Sequence, residues 1–284
     1  MSALSFEDVS IRLGRRTILE RASFEIANGE FIGMLGANGA GKTTLMRAAL
    51  GLVPTRGGVL CVLGKEVTRG NPAIGYMPQN RGDFTRLRLS GYDIVASGAG
   101  GAAWGLPRLD AGQRREIDWA LDMVGARDLA RRSIGDMSGG ERQRLLLSQA
   151  LIGRPKLMLL DEPLMSLDPA HQKTVVEIVR RLSVELKIAI LFSAHEINPL
   201  LRAIDRVLYL GAGKAVLGAV DEVITGPVLS RLYGAEIEVV RVKDRVFVMA
   251  GDIEVESEAH RHEDGHGHSH SHDHSHHDHG SAHV

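Results

Sequence analysis

The stretch GANGAGKTT, Gly36 to Thr44, directly follows the apolar run FIGML, and it constrains the fold more than any other part of the chain. A strand that enters a glycine-rich turn and then a helix is the opening of an α/β unit, whose next parallel strand is reached over the face of the sheet. Gly36, Gly39 and Gly41 let the backbone of this loop, with Asn38 and Ala40, turn its N–H groups inward around phosphate oxygens. The helix from Lys42 adds the positive end of its dipole. Lys42 supplies a point charge for the β- and γ-phosphates, and Thr43, followed by Thr44, offers a hydroxyl to Mg²⁺. The loop specifies nucleotide binding and no particular use of it.

The rest of the chain reads in three textures. Residues 4 to about 26 alternate apolar and polar side chains around a Gly-Arg-Arg break, which predicts short antiparallel strands. KLMLL (156–160), KIAILF (187–192) and RVLYL (206–210) are continuous apolar runs, as strands buried on both faces require. Residues 80 to about 137 read as a helical insertion, in which Ile117, Ala120, Leu121 and Val124 share one helix face. The pair EIEVVRV and RVFVMAG predicts a small β extension at 234–254.

Two further stretches carry chemistry. In LMLLDEP an apolar strand ends in Asp161 and Glu162, where one carboxylate can hold Mg²⁺ and the next can orient or deprotonate a water. In MSGGERQR, Ser138 is a good N-cap, and Gly139 and Gly140 expose backbone N–H groups at a helix start, a second anion-binding arrangement.

These elements and their order resemble the ATP-binding subunits of ABC transporters, over about residues 4 to 225. The set is the phosphate loop, YMPQ ending in Gln79, MSGGE, LMLLDE, SLD (166–168) and His195 in LFSAHE. The resemblance implies an α/β P-loop ABC ATPase core over 1–233, with an antiparallel β subdomain and a helical subdomain at about 80–150. It implies a Mg²⁺-dependent ATPase working as a head-to-tail homodimer. Lys42, Thr43, Gln79, Asp161, Glu162 and His195 of one copy would then meet Ser138, Gly139 and Gly140, with Glu141, of the other, and Asp168 would lie at the seam. Mg²⁺ falls to Thr43, Gln79 and Asp161, water polarisation to Glu162, and γ-phosphate contact to His195. The adenine-stacking aromatic of the family is replaced by Leu13, and the signature carries Met137 and Glu141 where leucine and glutamine are usual.

Charge and composition restrict the partners. With 34 basic and 35 acidic side chains the chain is close to neutral, which argues against nucleic acid as the main partner. A single cysteine excludes an internal disulfide, and the amino-terminal MSALSFEDVSIR has no signal-peptide pattern, so the expected location is cytoplasmic. No apolar run approaches the roughly 18 to 20 residues of a bilayer span. A motor of this kind would sit on the inner face of the membrane and drive a separate integral permease, fed by an extracytoplasmic substrate-binding protein.

LFSAHEINPLL and the late hairpin resemble motors of zinc or manganese importers. Residues 255–284 add a second clue, because 11 of the 13 histidines lie beyond residue 259. Such a segment has little to bury and is expected to be disordered. His266, His268, His270, His272, His274, His276, His277 and His279 could gather around one ion, and imidazole suits zinc, nickel and copper better than manganese. The tail therefore favours zinc as cargo. A polycation that charges near pH 6.5 is the other reading of the tail. For the whole chain the alternatives are a motor for manganese, nickel or another substrate, a soluble ABC switch acting in DNA repair or translation, and a metal store with a degenerate nucleotide site.

Overall fold

The computed structural model describes residues 2–79, 89–99, 109–250 and 253–254. It opens with β1 (Ser2–Leu13) and β2 (Arg16–Ala27), an antiparallel pair turned once at Gly14, whose φ is 58°. These two strands are longer than the alternation predicts. Register shifts on either side of Val9 interrupt the pairing without ending either strand.

Strand β3 (Phe31–Leu35) runs into the phosphate loop and helix α1 (Lys42–Ala49). Strands β4 (Val59–Val62) and β5 (Lys65–Glu66) complete a first sheet in the order β2-β1-β4-β5. Next come β6 (Ile74–Met77), α2 (Gly91–Ala99), α3 (Ala111–Met123), α4 (Gly139–Leu151) and β7 (Leu157–Leu160). Helix α5 (Pro169–Leu186), β8 (Ala189–Ser193), β9 (Arg206–Gly211) and β10 (Lys214–Gly218) finish a second sheet, ordered β10-β9-β3-β8-β7-β6. Its pairings are parallel except β10 with β9. Helices α6 (Val220–Val223) and α7 (Gly226–Tyr233) lead to β11 (Ile237–Val242), β12 (Arg245–Ala250) and β13 (Ile253–Glu254), a small antiparallel sheet.

The continuous apolar runs are explained by cores on both faces of the second sheet. Ile32, Met34, Leu157, Leu159, Ala189 and Leu191 face α1 and the first sheet. Phe31, Met158, Leu160, Ile190 and Phe192 face the helices, joined there by Val246 and Val248 of β12. On α3, Asp110 and Gln113 form a capping box, and Ile117, Ala120, Leu121 and Val124 are buried together as their spacing predicts. Burying each large aliphatic side chain of that face contributes about 1.5–3 kcal/mol. The carboxyl ends of β3, β7 and β8 open at one edge, where parallel sheets bind ligands.

Candidate nucleotide and catalytic site

The phosphate loop needs its glycines for space as well as for conformation. A Cβ on Gly36 (φ 144°) would lie 2.4 Å from the Leu210 carbonyl oxygen, and one on Gly41 (φ 106°) 2.3 Å from Cγ2 of Ile18. Asn38 and Gly39 are exposed, while Ala40, Thr43 and Thr44 are half-buried. Lys42 is 5% exposed, and its Nζ donates to the carbonyls of Gly36 (2.7 Å) and Ala37 (3.5 Å). Burial lowers its pKa from the ordinary lysine value, opposed by the charges of Glu162 and Asp161. Arg16 donates to the Gly39 carbonyl at 2.8 Å and ties the β1–β2 turn to the loop; Leu13, beside that turn, is 46% exposed.

Strand β7 delivers the carboxylates. Asp161 is 1% exposed; its Oδ1 accepts from the Ser193 hydroxyl at 2.9 Å, and its Oδ2 has no hydrogen-bond partner among the described residues. A buried carboxylate oxygen left over in this way fits a divalent cation. Glu162 has φ 51°, a left-handed conformation that costs a non-glycine residue about 1–2 kcal/mol. Its Oε1 lies 2.9 Å from Nε2 of His195 and 3.9 Å from Nζ of Lys42, and its Oε2 accepts from Nε2 of Gln79. Gln79 also reaches Sδ of Met165 at 3.4 Å. Five residues from four segments thus converge: Lys42, Gln79, the neighbours Asp161 and Glu162, and His195. His195 sits two residues past the end of β8, in a cleft of about 410 Å³ lined also by Met165 and Asp168. A larger groove, about 1290 Å³, lies between α5 and β12 and is not lined by these carboxylates.

Ser138, Gly139, Gly140 and Glu141 lie at the start of α4. Ser138 and Glu141 form a reciprocal capping box, and Glu141 pairs with Arg132. The Ser138 backbone N–H, followed by the Arg132 guanidinium, holds the Glu141 carboxyl below its usual range. Asp168 caps α5 by accepting from the N–H groups of Ala170 and His171, and it also pairs with the His171 ring, contacts that lower its pKa. Gly140 touches that same ring: a Cβ there would lie 2.3 Å from Cδ2 of His171. The histidines from His266 to His279 lie outside the described residues.

Sequence reasoning did not single out Ser193, Tyr76 or Asn198. Tyr76 of β6 has its pKa raised by burial and by the nearby charge of Asp161. A lone hydroxyl at the carboxyl end of the apolar strand AILFS was the available signal for Ser193.

A model of the ABC transporter family matches residues 19–165, just over half of the chain. The chain belongs to the ABC transporter family. As an ABC ATPase it is an ATP-hydrolysing enzyme, and ATP with Mg²⁺ is the general pairing of the family. The zinc import ATP-binding protein ZnuC of Roseobacter denitrificans is 34% identical over 236 residues, spanning 82% of this chain and 85% of that protein. The manganese transport system ATP-binding protein MntB of Bacillus subtilis is 30% identical over 246 residues, spanning 87% and 97%. Among solved structures, a metal-chelate type ABC transporter in an inward-facing conformation superposes with a TM-score of 0.74 at 25% identity, over 87% of this chain and 96% of that one. Among the described residues, no helix of this ABC ATPase is long and apolar enough to cross a membrane.

Proposed function

We propose that this ABC ATPase drives a separate membrane permease that imports a divalent metal ion, zinc in first place. The observation that carries the reading is the convergence of Lys42, Gln79, Asp161, Glu162 and His195 on one point at the edge of the second sheet. Lys42 and the Gly36–Gly41 loop bind the phosphates, with Asn38, Gly39, Ala40 and Thr44 lining the cradle. Thr43, Gln79 and Asp161 are the residues that would hold Mg²⁺, which when bound neutralises charge on the β- and γ-phosphates. Glu162 accepts a hydrogen bond from the attacking water and takes up its proton, and His195 contacts the γ-phosphate. Gln79 relays loss of that phosphate toward the helices α2 to α4.

Ser138, Gly139 and Gly140 of a second copy complete each site, with Asp168 at the seam, so the working unit is a homodimer. Their position at the start of α4, a different element from those that carry Lys42 and Glu162, supports this division. The ATPase sits peripherally on the cytoplasmic face of the membrane, against its permease, and an extracytoplasmic binding protein supplies the ion. Zinc and manganese both enter through the relatives named for them. The imidazoles of residues 260–284 favour zinc, and the tail receives or buffers that ion on the cytosolic side.

The deciding experiment compares accumulation of zinc, manganese and nickel by cells with and without this protein. The proposal expects a selective zinc deficit in cells lacking it. A manganese deficit with normal zinc would transfer the cargo assignment to manganese, and no metal phenotype, with ribosomes or DNA co-purifying instead of a permease, would remove transport altogether.

A further inference from the structure

We infer that Ser193 is the positioning residue of the catalytic carboxylates: its hydroxyl turns one oxygen of Asp161 toward the divalent cation and holds the Glu162 backbone in place. The inference rests on the roles given above to Asp161 and Glu162. It begins with register. Strands β7 and β8 pair in parallel with Leu160 beside Phe192, so Asp161 and Ser193 are the next pair. Leu160 and Phe192 both face the helices. The alternation of a strand then sends Asp161 and Ser193 to the opposite face, the side of α1 and the phosphate loop.

Ser193 is fully buried, and the other four residues of its strand, AILF, are apolar. A hydroxyl sealed there is costly unless its bonds are made. Both are made to the catalytic pair. It donates to Oδ1 of Asp161 at 2.9 Å and accepts the Glu162 N–H at 2.8 Å. With Oδ1 engaged, the side chain of Asp161 is oriented and the partnerless Oδ2 is the oxygen presented to a cation. With its N–H bonded, Glu162 keeps the left-handed backbone from which its carboxylate reaches His195 and Gln79. One hydroxyl therefore couples the cation ligand to the group that handles water.

The test uses the full chain and reads Mn²⁺ binding to the ATP-loaded protein by electron paramagnetic resonance, beside kcat, KM and ATP binding in EDTA. Ser193→Ala should weaken Mn²⁺ binding about ten- to hundredfold, the range for loss of a group that orients a metal ligand. It should lower kcat more than it raises KM, and leave ATP binding in EDTA within about twofold, since the phosphate loop is untouched. Ser193→Thr, which keeps the hydroxyl, should restore most of the Mn²⁺ affinity. Should the alanine variant fail to fold, Ser193→Cys, close in volume but a weak donor, is read in its place. Unchanged Mn²⁺ binding in Ser193→Ala, a threonine variant as impaired as the alanine one, or an equal loss of ATP binding in EDTA would each overturn the inference. Asp161→Asn serves as the reference: if it too leaves Mn²⁺ binding unchanged, the assignment of Asp161 itself fails.

Discussion

Asn198 donates its side-chain N–H to the Val246 carbonyl at 2.9 Å and accepts the Val246 N–H through its own oxygen at 2.8 Å, fastening β12 to the segment three residues past His195. Replacing Asn198 with Ala strands two partly buried backbone groups, which costs about 1–3 kcal/mol. The expected result is a lower urea midpoint with nucleotide affinity retained. A midpoint equal to that of the parent would show that the pairing holds nothing in place.

Glu162 is the residue on which hydrolysis turns in this reading. Glu162→Gln keeps the size and the contact to Gln79 but removes the base, so phosphate release should fall about 10²- to 10⁴-fold while ATP binding persists. Light scattering in ATP should show dimers accumulating. Turnover within about threefold of the parent would remove Glu162 from the water-activating role.

With Lys42 on the phosphates, as proposed, nucleotide binding should be sensitive to alkaline pH. Burial sets its pKa below the ordinary 10.5, and the charged form that attracts phosphate is lost as pH rises through that lowered value. ATP affinity should therefore decline at a pH where an ordinary lysine is still charged. The linked stability runs the other way. Between the folded and unfolded values the unfolded chain binds more protons, so stability rises with pH across that window. Nucleotide titrations and melting curves from about pH 7.5 to 10.5 check both signs, and Lys42→Met should abolish both slopes.

The α4 cap is a stability element with an acid limit. Ser138→Ala removes the side-chain acceptor for the Glu141 N–H and should cost about 1 kcal/mol. Glu141, with its folded pKa lowered from 4.5, contributes stability that is present above the unfolded value and lost as pH falls through the folded one. Glu141→Gln keeps an acceptor for the Ser138 N–H and should flatten that acid step, as melting at pH 7 and at lower pH would reveal.

Truncation after Glu258 removes all 11 carboxyl-terminal histidines. Tight zinc binding, measured by calorimetry, should largely disappear while ATP hydrolysis continues. Zinc affinity that survives the cut would place the ion elsewhere in the chain.

The parallel strands β7, β8 and β9 were legible because burial on both faces writes them as unbroken apolar runs, and the α3 face because its spacing is helical. Strand β6 was harder to read. Its sequence IGYM includes Gly75, which α4 requires: a Cβ there would lie 2.2 Å from the Ala150 carbonyl oxygen, so a packing demand removed the side chain that marks a strand. The convergence of Lys42, Gln79, Asp161, Glu162 and His195 was legible only as a family resemblance, because the distances between them depend on sheet order. Ser193 and Asn198 were not legible for the same reason: their partners lie about 30 and 48 residues away and are met only through register and hairpin docking.

The contact of Gly140 with the His171 ring has an evolutionary reading. The two positions lie 31 residues apart in sequence (171 − 140) but share one volume, so position 140 cannot enlarge while the His171 ring stands. A larger residue at 140 becomes tolerable only after a smaller one has appeared at 171, whereas position 171 can shrink first. The pair is an epistatic lock with a preferred direction of substitution. Because the His171 ring also pairs with Asp168, opening the lock leaves that carboxylate to the N–H groups of Ala170 and residue 171.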